Sequence, residues 1–334
     1  MEKYVGFRLG RKRGRALTQI ATAALTATLL GATGGTAVAD SPAPVPAPLQ
    51  NIQPQTLKLT VPWAAKGTTP DAPESRTATP MLSAPDTASS PSFHFSGVAR
   101  NGDLYQQMPN RNGFAPRTRV APGWDIFKAA QNVDRDKDGF ADGLYTWDTD
   151  GNLRFTSPKN EFETETSLIG GGWNIYDKVL SPGDLGGGTE PDIMAIDKAG
   201  VMHVYLAYSD GRLTARATIG GGWDQYTLIA GQGDLTGDGK ADIVARDKSG
   251  VLWLYKGTGN RQAPFEPREK IGGGWNMYDH LLSTGDVDGD GNADLLARTP
   301  SGDLMLYKGN GTAAGAYDKP VKIGWNYDTY RLMF

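Results

Sequence analysis

The sequence predicts an all-β fold, a five-bladed β-propeller of four-stranded antiparallel blades with the ring closed by pairing of the N- and C-terminal strands, and three observations predict it. A tryptophan following glycine recurs at Trp124, Trp173, Trp223, Trp275 and Trp325, with spacings by subtraction of 49, 50, 52 and 50 residues. A near-constant period of this size marks a repeat architecture. Each period divides into short apolar or aromatic runs separated by Gly, Asp, Asn or Pro, as strands joined by turns do. The two ends of the chain carry complementary parts of one repeat.

In chain order, the first element is a targeting segment. Arg8, Arg11, Lys12, Arg13 and Arg15 form a basic region, Ala16 to Leu30 is mostly small or apolar, and Ala37-Val38-Ala39 supplies a small-residue cleavage site. Residues 1–39 are therefore expected to be a signal peptide, with the mature chain starting at Asp40. The apolar run contains Thr18, Gln19, Thr22, Thr26 and Thr28 and falls short of the ~20 apolar residues that span a bilayer. No membrane span is expected in the mature chain. Residues 40–91 hold eleven prolines among many Ala, Ser and Thr, a composition that buries too little apolar surface to offset chain entropy and predicts a disordered linker. Within it, Thr56 to Trp63 is the one strand-like stretch.

The propeller is expected over residues 92–334. Its most complete unit, Gly274 to Gly324, predicts strands at Met277 to Ser283, Ala293 to Thr299, Asp303 to Lys308 and Tyr317 to Ile323. Ala-Gly at 199–200 and Ser-Gly at 249–250 and 301–302 mark the central hairpins, where positive φ is needed. Residues 93–120 match the last three strands of a unit, and Trp325 to Phe334 matches the first. One blade is thus built from both termini, which leaves no unpaired edge. A linear solenoid would carry polar capping repeats instead of complementary half-repeats.

Composition narrows the chemistry. A net charge of −3 over 334 residues points to no nucleic-acid partner. The chain has no cysteine, which excludes disulfides, thiolate nucleophiles and thiolate metal sites. Any metal must be held by oxygen or by one of the three histidines.

Oxygen ligands are concentrated in three aligned loops: Asp134, Asp136, Asp138, Gly139 and Asp142; Asp234, Thr236, Asp238, Gly239 and Asp242; and Asp286, Asp288, Asp290, Gly291 and Asp294. Oxygens at loop positions 1, 3, 5 and 9 with glycine at 6 can converge on Ca2+, which takes 6 to 8 oxygen ligands, and position 7 would add the carbonyl of Phe140, Lys240 or Asn292. An EF-hand is excluded, because position 12 is Tyr145, Ala245 or Ala297 and not a bidentate Glu. Polar turns alone would account for one such loop, but not for three in register. A fourth loop, Asp184 to Asp192, keeps only the first and last aspartates of the pattern, and weak or no calcium is expected there.

These loops, followed by ADIVAR or ADLLAR, resemble the FG-GAP and VCBS repeats of integrin-like propellers and of secreted bacterial proteins. The resemblance implies calcium in the loops and an adhesive or recognition role. ARATIGGGWDQYTLI and the closing WNYDTYRLMF also resemble the tachylectin family, whose five-bladed propellers bind N-acetylated sugars but lack the calcium loop.

His94, His203 and His280 occupy unlike places in their repeats and have no Ser or carboxylate at motif spacing, so no catalytic triad is predicted and the chain is not expected to be an enzyme. Trp173, Asn174, Trp223, Asp224, Trp275, Asn276, Trp325 and Asn326 are candidate sugar-binding residues, since an aromatic face and an amide together grip a pyranose. The competing role for each tryptophan is packing between blades. The position of Tyr105, Arg154, His203, Trp253 and Met305 varies between repeats and cannot form five identical pockets. The expectation is a secreted, extracellular, monomeric, calcium-binding lectin-like module, and the alternative is a scaffold for an extracellular protein partner.

Overall fold

A computed structural model describes residues 90–160 and 163–334; the predicted signal peptide, and the linker up to residue 89 with its strand-like stretch, lie outside them. The chain forms five four-stranded antiparallel sheets. The N-terminal part-blade contributes β1 (Phe95–Ala99), β2 (Leu104–Gln107) and β3 (Thr118–Ala121). The second blade is β4 (Phe127–Val133), β5 (Gly143–Asp148), β6 (Leu153–Pro158) and β7 (Thr164–Gly170). The third is β8 (Tyr176–Gly183), β9 (Asp192–Asp197), β10 (Met202–Tyr205) and β11 (Ala217–Gly220). The fourth is β12 (Tyr226–Ala230), β13 (Ile243–Asp247), β14 (Leu252–Tyr255) and β15 (Glu269–Gly272). The fifth is β16 (His280–Leu282), β17 (Leu295–Arg298), β18 (Leu304–Tyr307) and β19 (Val321–Gly324), and β20 (Tyr330–Met333) completes the first blade.

The predicted closure is present. β20 pairs antiparallel with β1, Gly97 opposite Met333 and Val98 opposite Leu332, and the Ser96 and Phe334 backbones exchange hydrogen bonds of 2.7 and 3.0 Å. Gly97 is needed there, since a Cβ would lie 2.7 Å from the Tyr330 ring.

Each first strand is preceded by one 3-10 turn: Trp124–Ile126, Trp173–Ile175, Trp223–Gln225, Trp275–Met277 and Tyr327–Thr329. The residue before each turn is left-handed, glycine in four cases and Asn326 (φ 64°) in the fifth. This corrects the sequence alignment: the fifth repeat places Tyr327, not Trp325, in the position of the other tryptophans, and Trp325 stands where the others carry Pro122, Gly171, Gly221 and Gly273. The same turn shortens the predicted strand at Met277 to Ser283, which becomes His280–Leu282. The predicted strand Tyr317 to Ile323 begins later, at Val321, because Tyr317 makes an isolated bridge to Gly309.

The turns join blade to blade. The N–H of Trp124, Trp173, Trp223, Trp275 and Tyr327 donates to the carbonyl of Gly102, Gly151, Gly200, Gly250 and Gly302, at 2.9 to 3.0 Å, in the hairpin of the preceding blade. Five apolar clusters lie between successive blades; the one between blades three and four joins Met194, Met202 and Val204 to Trp223, Tyr226 and Ile243. The innermost strands β4, β8, β12, β16 and β20 line a central cavity of about 240 Å³, and Phe93 also borders it. First strands run from the 3-10 turns to the Asp-rich loops, so turns and loops occupy opposite faces of the ring.

Candidate metal centre

The Asp-rich loops link β4 to β5, β12 to β13 and β16 to β17, and each is organised by its own backbone. The position-1 carboxylate accepts the N–H of the position-6 glycine: Asp134 from Gly139 at 2.8 Å, Asp234 from Gly239 at 2.6 Å and Asp286 from Gly291 at 2.8 Å. These glycines have φ of 88°, 81° and 98°, which other residues rarely adopt. The position-5 carboxylates of Asp138, Asp238 and Asp290 accept the N–H of Phe140, Lys240 and Asn292 at 3.0, 3.0 and 2.8 Å.

Two loops draw three carboxylates together. One oxygen each from Asp134, Asp136 and Asp138 lie within 4.8 Å of one another, as do oxygens of Asp286, Asp288 and Asp294. The second loop carries Thr236 at position 3, whose hydroxyl faces the Asp242 carboxylate, and in the first loop Asp134 Oδ1 is buried without a hydrogen-bond partner. A buried oxygen acceptor left unpaired is costly, and a hard cation would satisfy it. Burial, and then the neighbouring carboxylates, push Asp134 up to about 6. Burial also raises Asp138 and Asp286. A bound divalent cation would favour the ionised forms that burial disfavours.

Cationic side chains enter these loops. Lys308 Nζ lies 2.8 Å from Asp288 Oδ2, Lys240 Nζ 3.2 Å from Asp238 Oδ2 and Arg135 Nη2 3.3 Å from Asp142 Oδ2.

Position 9 has a second role that the motif did not reveal. Asp192, Asp242 and Asp294 are at most 1% exposed. One oxygen of each accepts the N–H at loop position 2, from Leu185 (3.0 Å), Leu235 (3.1 Å) and Val287 (2.8 Å). The other accepts from Ala207 (3.1 Å), Gly257 (2.8 Å) and Gly309 (2.8 Å), beyond the blade's third strand. Each carboxylate thus clamps its loop to the outer part of its blade. Burial drives the three up to about 7, 6 and 7 respectively. The clamp explains why the fourth loop keeps Asp192 after losing the carboxylates between. Asp142, half-buried, likewise accepts the position-2 N–H, from Arg135 at 2.8 Å, but its further partner is the Arg135 side chain and not a backbone N–H of the outer blade.

The candidate sugar-binding residues separate. Trp173, Trp223 and Trp275 are 5%, 9% and 7% exposed and pack between blades, whereas Trp325 is 71% exposed. Asn174 and Asn276 lie over the hairpin glycines of the preceding blade, where a Cβ on Gly151 or Gly250 would come within 2.7 and 2.6 Å of them. Asp224 covers Gly200 in the same way, since a Cβ on Gly200 would come within 2.6 Å of Asp224 N. Asn326 is exposed beside Trp325.

His203 has partners that sequence spacing did not suggest: Asp197 Oδ2 and Thr218 Oγ1, each at 3.2 Å. The same contact recurs with other residues, since Asp247 accepts from Trp253 Nε1 at 2.8 Å and Asp148 pairs with Arg154. These aspartates also hold the hairpin N–H groups, as Asp197 does for Ala199 and Val201, both at 2.9 Å.

Comparison with known proteins places these loops in context. Residues 234–297 match the FG-GAP-like repeat and residues 280–316 the FG-GAP repeat. No curated protein matches the chain. Among solved structures it is similar to human WBSCR16 (10% identity, TM-score 0.31), covering 68% of this chain and 65% of that one. It is similar also to a mutant of AofleA from Arthrobotrys oligospora (10%, TM-score 0.43), covering 69% of each chain. A third is the fungal Aleuria aurantia lectin, a six-bladed β-propeller with a fucose recognition mode (14%, TM-score 0.40), covering 71% of this chain and 79% of that one.

Proposed function

Because the chain is a five-bladed β-propeller of the FG-GAP repeat family, we propose that it is a secreted, non-catalytic module that binds calcium in its Asp-rich loops and recognises an extracellular glycan. The calcium reading is carried by the loop oxygens. Asp134, Asp136 and Asp138, and Asp286, Asp288 and Asp294, converge within 4.8 Å, while Asp134 Oδ1 is buried with no partner. Phe140, Lys240 and Asn292 would add carbonyl oxygens, and Asp142, Asp234, Asp238, Asp242 and Asp290 complete the ligand sets. The bound ion would neutralise the clustered charge and fix the loops.

The non-catalytic reading is supported by the repeat itself. The Asp197–His203 contact occupies the place that Asp148–Arg154 and Asp247–Trp253 fill in neighbouring blades, so His203 serves the hairpin as Arg and Trp do. The secretion reading is supported by the basic, apolar and Ala-x-Ala order of residues 1–39. Among the described residues no helix is long and apolar enough to cross a membrane.

The glycan reading is supported by Trp325 and Asn326, an exposed indole beside an exposed amide, an arrangement suited to stacking on a sugar ring. The experiment is a glycan array probed with the secreted chain in millimolar calcium, with Trp325→Ala as control. Binding that is competed by free N-acetyl sugars and lost in the variant is expected. A blank array, with one specific extracellular protein captured reproducibly, would replace the glycan by a protein partner.

A further inference from the structure

Four residues at the N-terminal edge of the propeller, Ser90 to Phe93, cross the loop face and touch all three Asp-rich loops. Ser90 N donates to Gly291 O at 3.1 Å, Ser92 N to Gly139 O at 2.8 Å, and Phe93 N to Thr284 O at 2.8 Å. The Pro91 carbonyl accepts Asp286 N at 2.7 Å. Ser90 Oγ accepts Asp234 N at 3.0 Å and donates to Asp234 O at 2.9 Å. Gly139 and Gly291 are the position-6 glycines of the first and third loops, and Asp234 and Asp286 are position 1 of the second and third. The segment therefore holds the backbone of Asp234 and Asp286, whose carboxylates would face the cation, and of the two glycines whose N–H groups bind the position-1 carboxylates.

The fit is close. A Cβ on Gly285 would collide with the Pro91 carbonyl, and one on Gly233 would lie 2.8 Å from Ser90 Oγ. Ser90 is 6% and Phe93 3% exposed, and Phe93 borders the central cavity. This segment is also where residues 1–89 join the propeller.

We propose that Ser90 to Phe93 is a cation-coupled clasp: divalent-cation binding in the three loops and docking of the clasp reinforce each other, so that the cation fixes the N-terminal extension to the loop face. The coupling rests on the calcium reading above. A cation that fixes the loop backbones presents Gly139 O, Gly291 O, Asp286 N and both backbone groups of Asp234 in the geometry that the clasp requires. By reciprocity a docked clasp raises affinity for the cation by the same factor. Ser90 lies on the face opposite the 3-10 turns, away from the exposed Trp325.

The test is hydrogen–deuterium exchange of the full chain in calcium chloride and in chelator, with bound calcium measured in parallel by elemental analysis. Peptides covering residues 90–95 are expected to exchange at least about tenfold more slowly in calcium, and Ser90→Ala is expected to raise the calcium Kd severalfold while leaving the chelator-state melt close to that of the parent. Calcium bound with unchanged exchange of the clasp, or an unchanged Kd in Ser90→Ala, would overturn the clasp and leave the calcium reading standing. No bound calcium would overturn the calcium reading, and the coupling with it.

Discussion

Replacing Asp192 by alanine isolates the position-9 clamp, because its loop lacks the carboxylates needed for calcium. The side chain is fully buried and accepts from Leu185 N at 3.0 Å and from Ala207 N at 3.1 Å. Its removal strands two backbone donors, each costing about 1–3 kcal/mol when buried and unpaired, so a loss of about 2–6 kcal/mol is expected. For a domain of this size, at about 2–4 °C per kcal/mol, that is a fall in Tm of roughly 4–24 °C. The control is Asp138→Ala, which removes an exposed position-5 carboxylate bonded to Phe140 N and should cost less than about 1 kcal/mol in chelator. Urea titrations in calcium and in chelator would measure both. Asp192→Ala should be destabilised equally in the two conditions, whereas Asp138→Ala should lose calcium-dependent stability. An Asp192→Ala protein within about 1 kcal/mol of the parent, or one rescued by calcium, would refute the clamp.

Two further outcomes are expected. Tyr327, 7% exposed and donating to Gln107 at 3.1 Å, occupies the interblade position, while Trp325 is 71% exposed. Tyr327→Ala should therefore cost about 3–5 kcal/mol and Trp325→Ala less than about 0.5 kcal/mol in denaturant titrations, and a reversed order would restore the sequence alignment. Burial pushes His94 and His280 down to about 4 from 6.5, with Arg298 adding to the effect at His280 against Asp279 and the Met333 backbone. Both rings stay neutral when folded, so their contribution is complete above pH 6.5 and is lost as pH falls toward 4. About 1–3 kcal/mol should go for each, and His280→Gln should flatten the decline between pH 6.5 and 4; a parental slope would remove His280 from the account.

The ring was legible because its signals are local and repeated. Hairpin glycines at 200, 250 and 302, with φ of 76°, 82° and 86°, recur beside apolar runs, and half-repeats at the two ends announce the β1–β20 closure. The fifth repeat misled because Trp325 mimics the motif two residues early; the turn Tyr327–Thr329 after left-handed Asn326 and the bond from Tyr327 N to Gly302 O, matching those of the four tryptophans, fix the register. The clamp was hidden because an aspartate at position 9 reads as a ligand with or without its backbone partners. The fixed offset of fifteen residues to Ala207, Gly257 and Gly309 was the signal that could have found it. Ser90 and Pro91 read as the end of a Pro-rich linker, since their partners at Asp234, Asp286 and Gly291 are far away in sequence. His203 likewise meets Thr218 only through pairing of β10 with β11.

Calorimetric titration of chelator-treated protein with calcium chloride reads cation binding at the loops of Asp134, Asp234 and Asp286. Three sites are expected with Kd in the range of roughly 0.1–1 mM typical of extracellular modules. Each would add about 1.4 kcal/mol of stability when calcium is tenfold above Kd. Asp290→Ala should remove one site, and substitution of Gly188 in the fourth loop should remove none. Absence of binding heat, with an identical Tm in calcium and chelator and no calcium by elemental analysis, would reduce the three loops to polar turns.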